Sequence, residues 1–135
     1  MRVECLLVDD DSDDRELFGF MLEAVSPHCS YRTAKDGVEA LELLRNTPDF
    51  VPGFILLDMN MPRMNGLQTL EAVRKMSHLR HTPVFMYSTA ADDRMVQRCK
   101  ALGCDDYLVK STSFEQMVSQ LRGIVRRLDV CEPVG

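Results

Sequence analysis

The chain has 135 residues, of which 45% are hydrophobic and 27% are charged. This length and composition predict one globular domain with a hydrophobic core. The net charge of −5 argues against a nucleic-acid-binding surface, which needs clustered lysine and arginine. No stretch is long and apolar enough to predict a membrane span, and we expect a cytoplasmic protein.

Five short apolar runs predict β-strands, and a helical pattern follows each of them. The predicted strands cover residues 3–8, 30–33, 54–57, 84–88 and 107–109. The segments after them repeat apolar residues at the spacing of an amphipathic helix, most clearly over residues 114–128. Strands that alternate with helices predict an α/β fold, in which helices cover both faces of a parallel sheet.

The residues at the predicted helix ends fit this division. Asp11 or Ser12 is expected to cap the first helix. Asp13 and Asp14 then fall in its first turn, where acidic side chains favour the helix dipole. We assign these acids no role beyond capping and solubility. Gly103 is expected to end the helix that precedes the fifth strand.

The sequence predicts a single domain over residues 1–135, with a core from about residue 3 to residue 128 and a tail over 129–135. No internal repeat, linker or low-complexity segment divides the chain. The five cysteines are scattered and form no C-x-x-C pair. Neither a zinc site nor a disulfide framework is therefore expected.

Polar side chains stand where four of the predicted strands end. They are Asp9 and Asp10 after the first strand, Asp58 after the third, Ser88 at the end of the fourth and Lys110 after the fifth. Ligands of open α/β sheets bind beyond the carboxyl ends of the strands. We therefore expect these side chains to meet at one rim of the sheet.

The residue types at this rim indicate a metal ion and a phosphoryl group. Crowded carboxylates repel one another unless a cation lies between them or one is protonated. Oxygen ligands suit a hard divalent ion, so Mg²⁺ is the expected cofactor and Mn²⁺ the second choice. Lys110 and Ser88 supply the positive charge and the hydrogen-bond donor that phosphoryl transfer needs. Asp58 is then the expected nucleophile, forming an acyl phosphate.

Five motifs occur in order along the chain: "LLVDDDSDD", "KDGVEAL", "ILLDMNMPRMNG", "YSTA" and "GCDDYLVK". Together they resemble the receiver domain of bacterial two-component response regulators, of the stand-alone, CheY-like type. The resemblance implies a flavodoxin-like three-layer sandwich with five helices and a five-stranded parallel sheet in the order 2-1-3-4-5. It also implies a signalling protein rather than an enzyme with turnover.

The resemblance implies a role for each rim residue. Asp58 matches the phosphoacceptor. Asp9 and Asp10 match the acidic pair at the metal, with Asp10 as the direct ligand and Asp9 acting largely through water. Asn60 matches the position that offers a backbone carbonyl to the metal, and Lys110 matches the invariant lysine.

Two switch residues and one departure follow from the same resemblance. Ser88 matches the switch hydroxyl and Tyr107 the switch aromatic; Thr89 is the alternative hydroxyl, although the family's spacing favours Ser88. The family usually has a cis proline after its lysine, whereas Ser111 follows Lys110 here. A cis bond without proline costs about 3–4 kcal/mol, which favours a trans bond and leaves the course of the next loop open.

The expected partners also follow from the resemblance. They are a sensor histidine kinase or phosphotransfer protein as phosphoryl donor, and a downstream protein target. We expect a monomer or weak homodimer that binds neither nucleic acid nor membrane.

Two other functions fit parts of the sequence. The segment "VDDDS" suits the D-x-D start of haloacid-dehalogenase-type phosphatases, with Asp9 as nucleophile and Asp11 as acid, but this leaves Asp58 unexplained. A degenerate receiver would bind partners without being phosphorylated. Ser111 is compatible with that function, while the complete acidic set and Lys110 argue against it.

Overall fold

The computed structural model describes residues 4–128, so Val3 and the tail 129–135 lie outside the described residues. Its strands are β1 (Glu4–Val8), β2 (Ser30–Ala34), β3 (Ile55–Asp58), β4 (Val84–Ser88) and β5 (Asp106–Val109). Its helices are α1 (Ser12–Val25), α2 (Gly37–Asn46), α3 (Gly66–Arg74), α4 (Asp93–Ala101) and α5 (Phe114–Leu128), with a 3₁₀ turn at Ser77–Leu79. All strand pairs are parallel in the order β2-β1-β3-β4-β5, which confirms the predicted fold.

Two hydrophobic cores lie on opposite faces of the sheet. Ile55 and Leu57 of β3 pack with α2, α3 and α4, whereas Leu56 packs with α1 and α5. All three side chains are buried, as expected for a central strand covered on both faces. No helix within residues 4–128 has both the length and the apolar content needed to cross a bilayer.

The observed ends of the elements agree closely with the sequence patterns. Asp11 caps α1, since its carboxylate accepts hydrogen bonds from the N–H groups of Asp13 at 2.8 Å and Asp14 at 3.2 Å. Gly103 follows α4 with φ of +99°, a conformation that favours glycine. The peptide bond between Lys110 and Ser111 is trans, as are all those of the described residues.

The cysteines depart in part from the prediction. Cys5, Cys99 and Cys104 are buried free thiols, but Cys29 is disulfide-bonded. The sequence predicted no disulfide framework, and the pairing of Cys29 departs from that prediction. Pairing depends on the separation of two Cα atoms in the fold, which spacing along the chain does not reveal.

Gly66 places the start of α3 directly behind the end of β3. Its N–H donates to the carbonyl of Met59 at 3.0 Å. A Cβ at this position would lie 2.5 Å from the carbonyl oxygen of Asp58 and 2.8 Å from the Cα of Met59. Residue 66 must therefore lack a side chain for the loop after Asp58 to close in this way.

We expect Gly66→Ala to lower the free energy of unfolding by about 1–3 kcal/mol, because backbone atoms must move to admit the methyl group. Gly123→Ala is the matched control, since a Cβ there meets nothing within 4 Å. That change lies inside α5 and should stabilise the protein by about 0.5–1 kcal/mol. Urea unfolding of both variants measures these changes in the free energy of unfolding. The same change in both variants would contradict the requirement for glycine at position 66.

Candidate functional site

The predicted rim exists, and parallel strand pairing creates it. Asp9 follows β1, Asp58 ends β3, Ser88 ends β4 and Lys110 follows β5. The backbone pairing continues past the strands, since the N–H of Lys110 donates to the carbonyl of Ser88 at 2.7 Å. The N–H of Asp9 likewise donates to the carbonyl of Ala34 at 3.0 Å. These bonds fix the backbone from which the rim side chains project.

Three carboxylates at the rim are close enough to bind one ion. Asp9, Asp10 and Asp58 each offer an oxygen, and these oxygens lie within 4.8 Å of one another. Asp9 and Asp58 are buried, whereas Asp10 is exposed to solvent. A set of oxygen donors with one open side suits Mg²⁺, which keeps several of its waters. The residues present therefore fit Mg²⁺, the cofactor that the sequence led us to expect.

Lys110 provides the positive charge of the site. Its Nζ lies 3.2 Å from Oδ2 of Asp9, 3.5 Å from Oδ2 of Asp58 and 3.1 Å from Oδ2 of Asp14. Burial by itself lowers the pKa of Lys110, but the charges of Asp9 and Asp58 outweigh it and raise the pKa. The lysine is therefore an ammonium ion at neutral pH, shared among three carboxylates.

Asp58 lies in an environment that disfavours its charge. Burial raises the pKa of its carboxyl to about 6. The Lys110 ammonium and the N–H of Asn60, which donates to Oδ1 at 3.2 Å, act in the opposite direction. The charges of Asp9 and Asp10 add to the increase. A cation between these carboxylates would favour the ionised, nucleophilic form of Asp58.

Asp9 is completely buried, and three groups donate to its carboxylate. Oδ1 accepts from the N–H of Asp11 at 2.9 Å. Oδ2 accepts from the hydroxyl of Tyr87 and from Nζ of Lys110. These donors offset the cost of burying the charge. They also leave Asp9 poorly placed to attack a substrate, which argues against the phosphatase alternative.

The two candidate hydroxyls differ in position. Ser88 is 3% exposed, and its Oγ accepts from Nδ2 of Asn60 at 3.2 Å and from the N–H of Ala90 at 3.3 Å. Thr89 is exposed. Ser88 is thus linked through Asn60 to Asp58, and it is the hydroxyl that lies beside the site. The backbone carbonyl of Asn60 as a metal ligand stays a prediction.

Tyr107 contacts the segment that follows Ser88. Its hydroxyl donates to the carbonyl of Ala90 at 3.5 Å, and its ring packs against the core beside α4. A groove of about 780 Å³ runs from Asp10 and Ser88 past Tyr107 to α4. Tyr107 therefore connects the rim to the surface of α4, and its role as a switch stays a prediction.

Sequence reasoning missed two residues of this site. Asp14 had been assigned only to capping and solubility, yet its carboxylate contacts Lys110. No local pattern pointed to this contact, since an acid at Asp14 also fits the first turn of a helix. Tyr87 had been interpreted as part of an apolar strand. Its hydroxyl reaches Asp9, and Nζ of Lys110 lies 4.5 Å from the centre of its ring.

An ion pair fixes the loop that follows Asp58. The guanidinium of Arg63 donates to Oδ2 of Asp36, and the Nε contact is 3.1 Å. Arg63 has φ of +64°, which is uncommon for a residue other than glycine. Burial raises the pKa of Asp36, but the N–H of Glu39 and the Arg63 guanidinium outweigh burial and lower it. The ion pair thus ties this loop to the start of α2.

The chain is similar in sequence and in structure to known proteins. The family described as the response regulator receiver domain matches residues 5–122. The transcriptional regulatory protein CpxR of Escherichia coli is 37% identical over 122 residues, which are 90% of this chain and 49% of CpxR. The chain spans about half the length of the curated relatives it matches.

Two solved structures have the same fold over nearly the whole chain. The phosphorylated cyanobacterial phytochrome response regulator RcpA superimposes with a TM-score of 0.87 at 25% identity, with 100% of both chains covered. The chemotaxis protein CheY4 of Vibrio cholerae gives a TM-score of 0.78 at 30% identity, covering 92% of this chain and 99% of CheY4.

The fold and the rim together define a doubly wound α/β domain that has, at the carboxyl ends of its strands, a lysine and three carboxylates able to hold a metal ion. The chain belongs to the response regulator receiver domain family. Its function is therefore in two-component signal transduction, and the resemblance of its five motifs is confirmed.

The raised pKa of Asp58 predicts a pH-dependent stability. In the folded protein this pKa is about 6, against an ordinary value of 3.8, so between these values the folded state holds a proton that the unfolded chain has lost. The raised pKa of Asp58 therefore contributes to the free energy of unfolding. This contribution is fully present below pH 3.8 and is lost as the pH rises through about 6.

We therefore expect the free energy of unfolding of the wild type in excess chelator to fall by about 2 kcal/mol between about pH 4.5 and pH 7.5. This fall is measured relative to Asp58→Asn, which lacks the titrating group. Added Mg²⁺ should restore this stability at the higher pH in the wild type only, because the ion binds the folded state. Urea unfolding over the pH series measures both effects. Parallel profiles for the two proteins would contradict the assignment.

Proposed function

We propose that Asp58 accepts a phosphoryl group from the phosphohistidine of a sensor histidine kinase or phosphotransfer protein, in a Mg²⁺-dependent reaction. The observation that carries this proposal is the position of the Lys110 ammonium, 3.5 Å from Asp58 and 3.2 Å from Asp9. These groups come from distant parts of the chain and meet at one point. If these ion pairs served stability alone, the exposed carboxylate of Asp10 would not be needed beside Asp9 and Asp58.

In the proposed reaction, a carboxylate oxygen of Asp58 attacks the phosphorus of the donor. The new P–O bond forms as the P–N bond to the donor histidine breaks, and the histidine nitrogen leaves with its electron pair and takes up a proton. Lys110 moves with the transferred group and neutralises part of its charge. The product is an acyl phosphate on Asp58.

Asp10 and Asp58, with Asp9 behind them and the carbonyl of Asn60, would hold Mg²⁺. The ion supplies charge neutralisation for the phosphoryl oxygens. Mn²⁺ is a second suitable ion, because it also prefers oxygen ligands. Asp10 is the direct carboxylate ligand in this proposal since it alone is exposed, whereas donors already occupy both oxygens of Asp9.

The phosphoryl group would then change the contacts of the switch residues. Ser88 is bonded to Asn60 in this structure, and a new anion on Asp58 offers its hydroxyl a stronger acceptor. Movement of Ser88 would alter the Ala90 segment to which Tyr107 is bonded. A local charge change thereby selects between two packings near α4. Thr89 is exposed, so it would act as the switch hydroxyl only if it moved to the position beside Asn60 that Ser88 occupies.

The wider role follows from this reaction. We propose that residues 1–135 act as one receiver domain in the cytoplasm, where donors phosphorylated from ATP are available. Its output would be contact with a downstream protein, made by a monomer or weak homodimer, without binding to nucleic acid or membrane. We propose no turnover of a separate substrate, only slow loss of the domain's own phosphate.

Incubation with Mg²⁺ and acetyl phosphate tests the central proposal. Intact-mass measurement should find one added phosphoryl group on the wild type, and none on Asp58→Asn or in excess chelator, because both the nucleophile and the ion are required. Asp13→Asn is the matched control: it removes the same charge from an exposed position in the first turn of α1 and should be labelled normally.

Equal labelling of Asp58→Asn and wild type would overturn the assignment of Asp58. The phosphatase alternative makes a different prediction. The protein would then hydrolyse p-nitrophenyl phosphate over many turnovers, and Asp9→Asn would abolish this hydrolysis. We expect no such turnover.

A further inference from the structure

Tyr87 contacts both Asp9 and Lys110, two residues of the proposed site. It is the second-last residue of β4, and its side chain belongs to the core that α1 and α5 cover. The residue is only 4% exposed, yet its hydroxyl donates to Oδ2 of Asp9. Its ring lies under the ammonium of Lys110, with Nζ 4.5 Å from the ring centre. No other described residue makes contacts of these two kinds within the site.

Packing alone does not require the hydroxyl. The other β4 residue in the same core is Phe85, whose ring carries no hydroxyl. An apolar ring is therefore compatible with this face of the strand. The hydroxyl instead meets the one rim carboxylate that has no exposure to solvent. A buried carboxylate needs donors, and those donors also fix its orientation.

The hydroxyl also affects how Lys110 is shared. Oδ2 of Asp9 accepts from both Tyr87 and Lys110, so the tyrosine satisfies part of the carboxylate's charge. The ammonium can then also approach Asp58, at 3.5 Å. Without the hydroxyl, Asp9 would draw the ammonium more strongly toward itself. A cavity of about 50 Å³ is lined by Tyr87, Lys110 and Asp14, so the lysine side chain is not held in place by close packing on that side.

We propose that Tyr87 is a positioning residue for phosphoryl acceptance by Asp58. Its hydroxyl orients the Asp9 carboxylate toward the metal site, and its ring holds the Lys110 ammonium within reach of Asp58. The residue touches neither the metal nor the phosphoryl group, and it acts through Asp9 and Lys110. This inference rests on the proposed function of the rim.

Two substitutions separate the hydroxyl from the ring. Tyr87→Phe keeps the ring and should weaken Mg²⁺ binding by about 10-fold, the effect typical of losing a hydrogen bond to a metal-site carboxylate. Tyr87→Leu also removes the ring. It should phosphorylate about 3-fold more slowly than Tyr87→Phe at saturating Mg²⁺, because the cation–π contact is lost.

The measurements are the Mg²⁺ dissociation constant by isothermal titration calorimetry and the rate of labelling by acetyl phosphate. Tyr31→Phe is the matched control, since Tyr31 lies on the edge strand β2, is 38% exposed, and should behave as wild type in both assays. The urea midpoint of each variant is measured in parallel. A purely structural role for Tyr87 would lower that midpoint and leave the dissociation constant for Mg²⁺ unchanged.

The outcomes distinguish this inference from the function on which it rests. If the wild type binds Mg²⁺ and is labelled on Asp58 while Tyr87→Phe binds Mg²⁺ with wild-type affinity, the proposed function stands and the role of Tyr87 is overturned. If the wild type is not labelled, the proposed function itself fails, and the role of Tyr87 fails with it.

Discussion

The ammonium of Lys110 is the interaction on which the rest of the acidic rim depends. It lies within 3.5 Å of the carboxylates of Asp9, Asp14 and Asp58, and two of these, Asp9 and Asp58, are buried. Its single positive charge cannot balance them together with the exposed Asp10. The rim therefore keeps an excess of negative charge, which a divalent cation can neutralise. In the proposed function, such a cation would also reduce the repulsion that a dianionic phosphoryl group meets as it approaches Asp58.

The fold supplies this arrangement through strand topology. Parallel strands place their carboxyl ends on one edge of the sheet, and the central positions of β1 and β3 bring Asp9 and Asp58 side by side. The backbone bond from Lys110 to Ser88 aligns the end of β5 with the end of β4. Gly66 lets α3 begin against the backbone of Asp58. Each of these constraints acts on the backbone, so the charged side chains start from fixed positions.

Short polar contacts connect the rim to the surface on two sides. From Asp58, hydrogen bonds lead through Asn60, Ser88 and Ala90 to the hydroxyl of Tyr107. On the other side, the ion pair of Arg63 holds the loop after β3 to α2. The first path consists of neutral donors and acceptors, which a new charge on Asp58 can reorganise. The ion pair, by contrast, ties the loop after β3 to the start of α2.

The sequence by itself determined the fold class, the strand ends and most of the site. Short apolar runs and helical spacings are local, so they indicate elements directly, and residues at strand ends such as Asp58 and Lys110 follow from them. Only the tertiary structure decided that Asp14 and Tyr87 belong to the site. Asp14 had an adequate local explanation as a helix-start acid, and Tyr87 had one as a core residue of β4. Their contacts with Lys110 and Asp9 join residues as many as 96 positions apart in the chain. Such contacts depend on the side-chain directions that packing sets, and no local pattern encodes those directions.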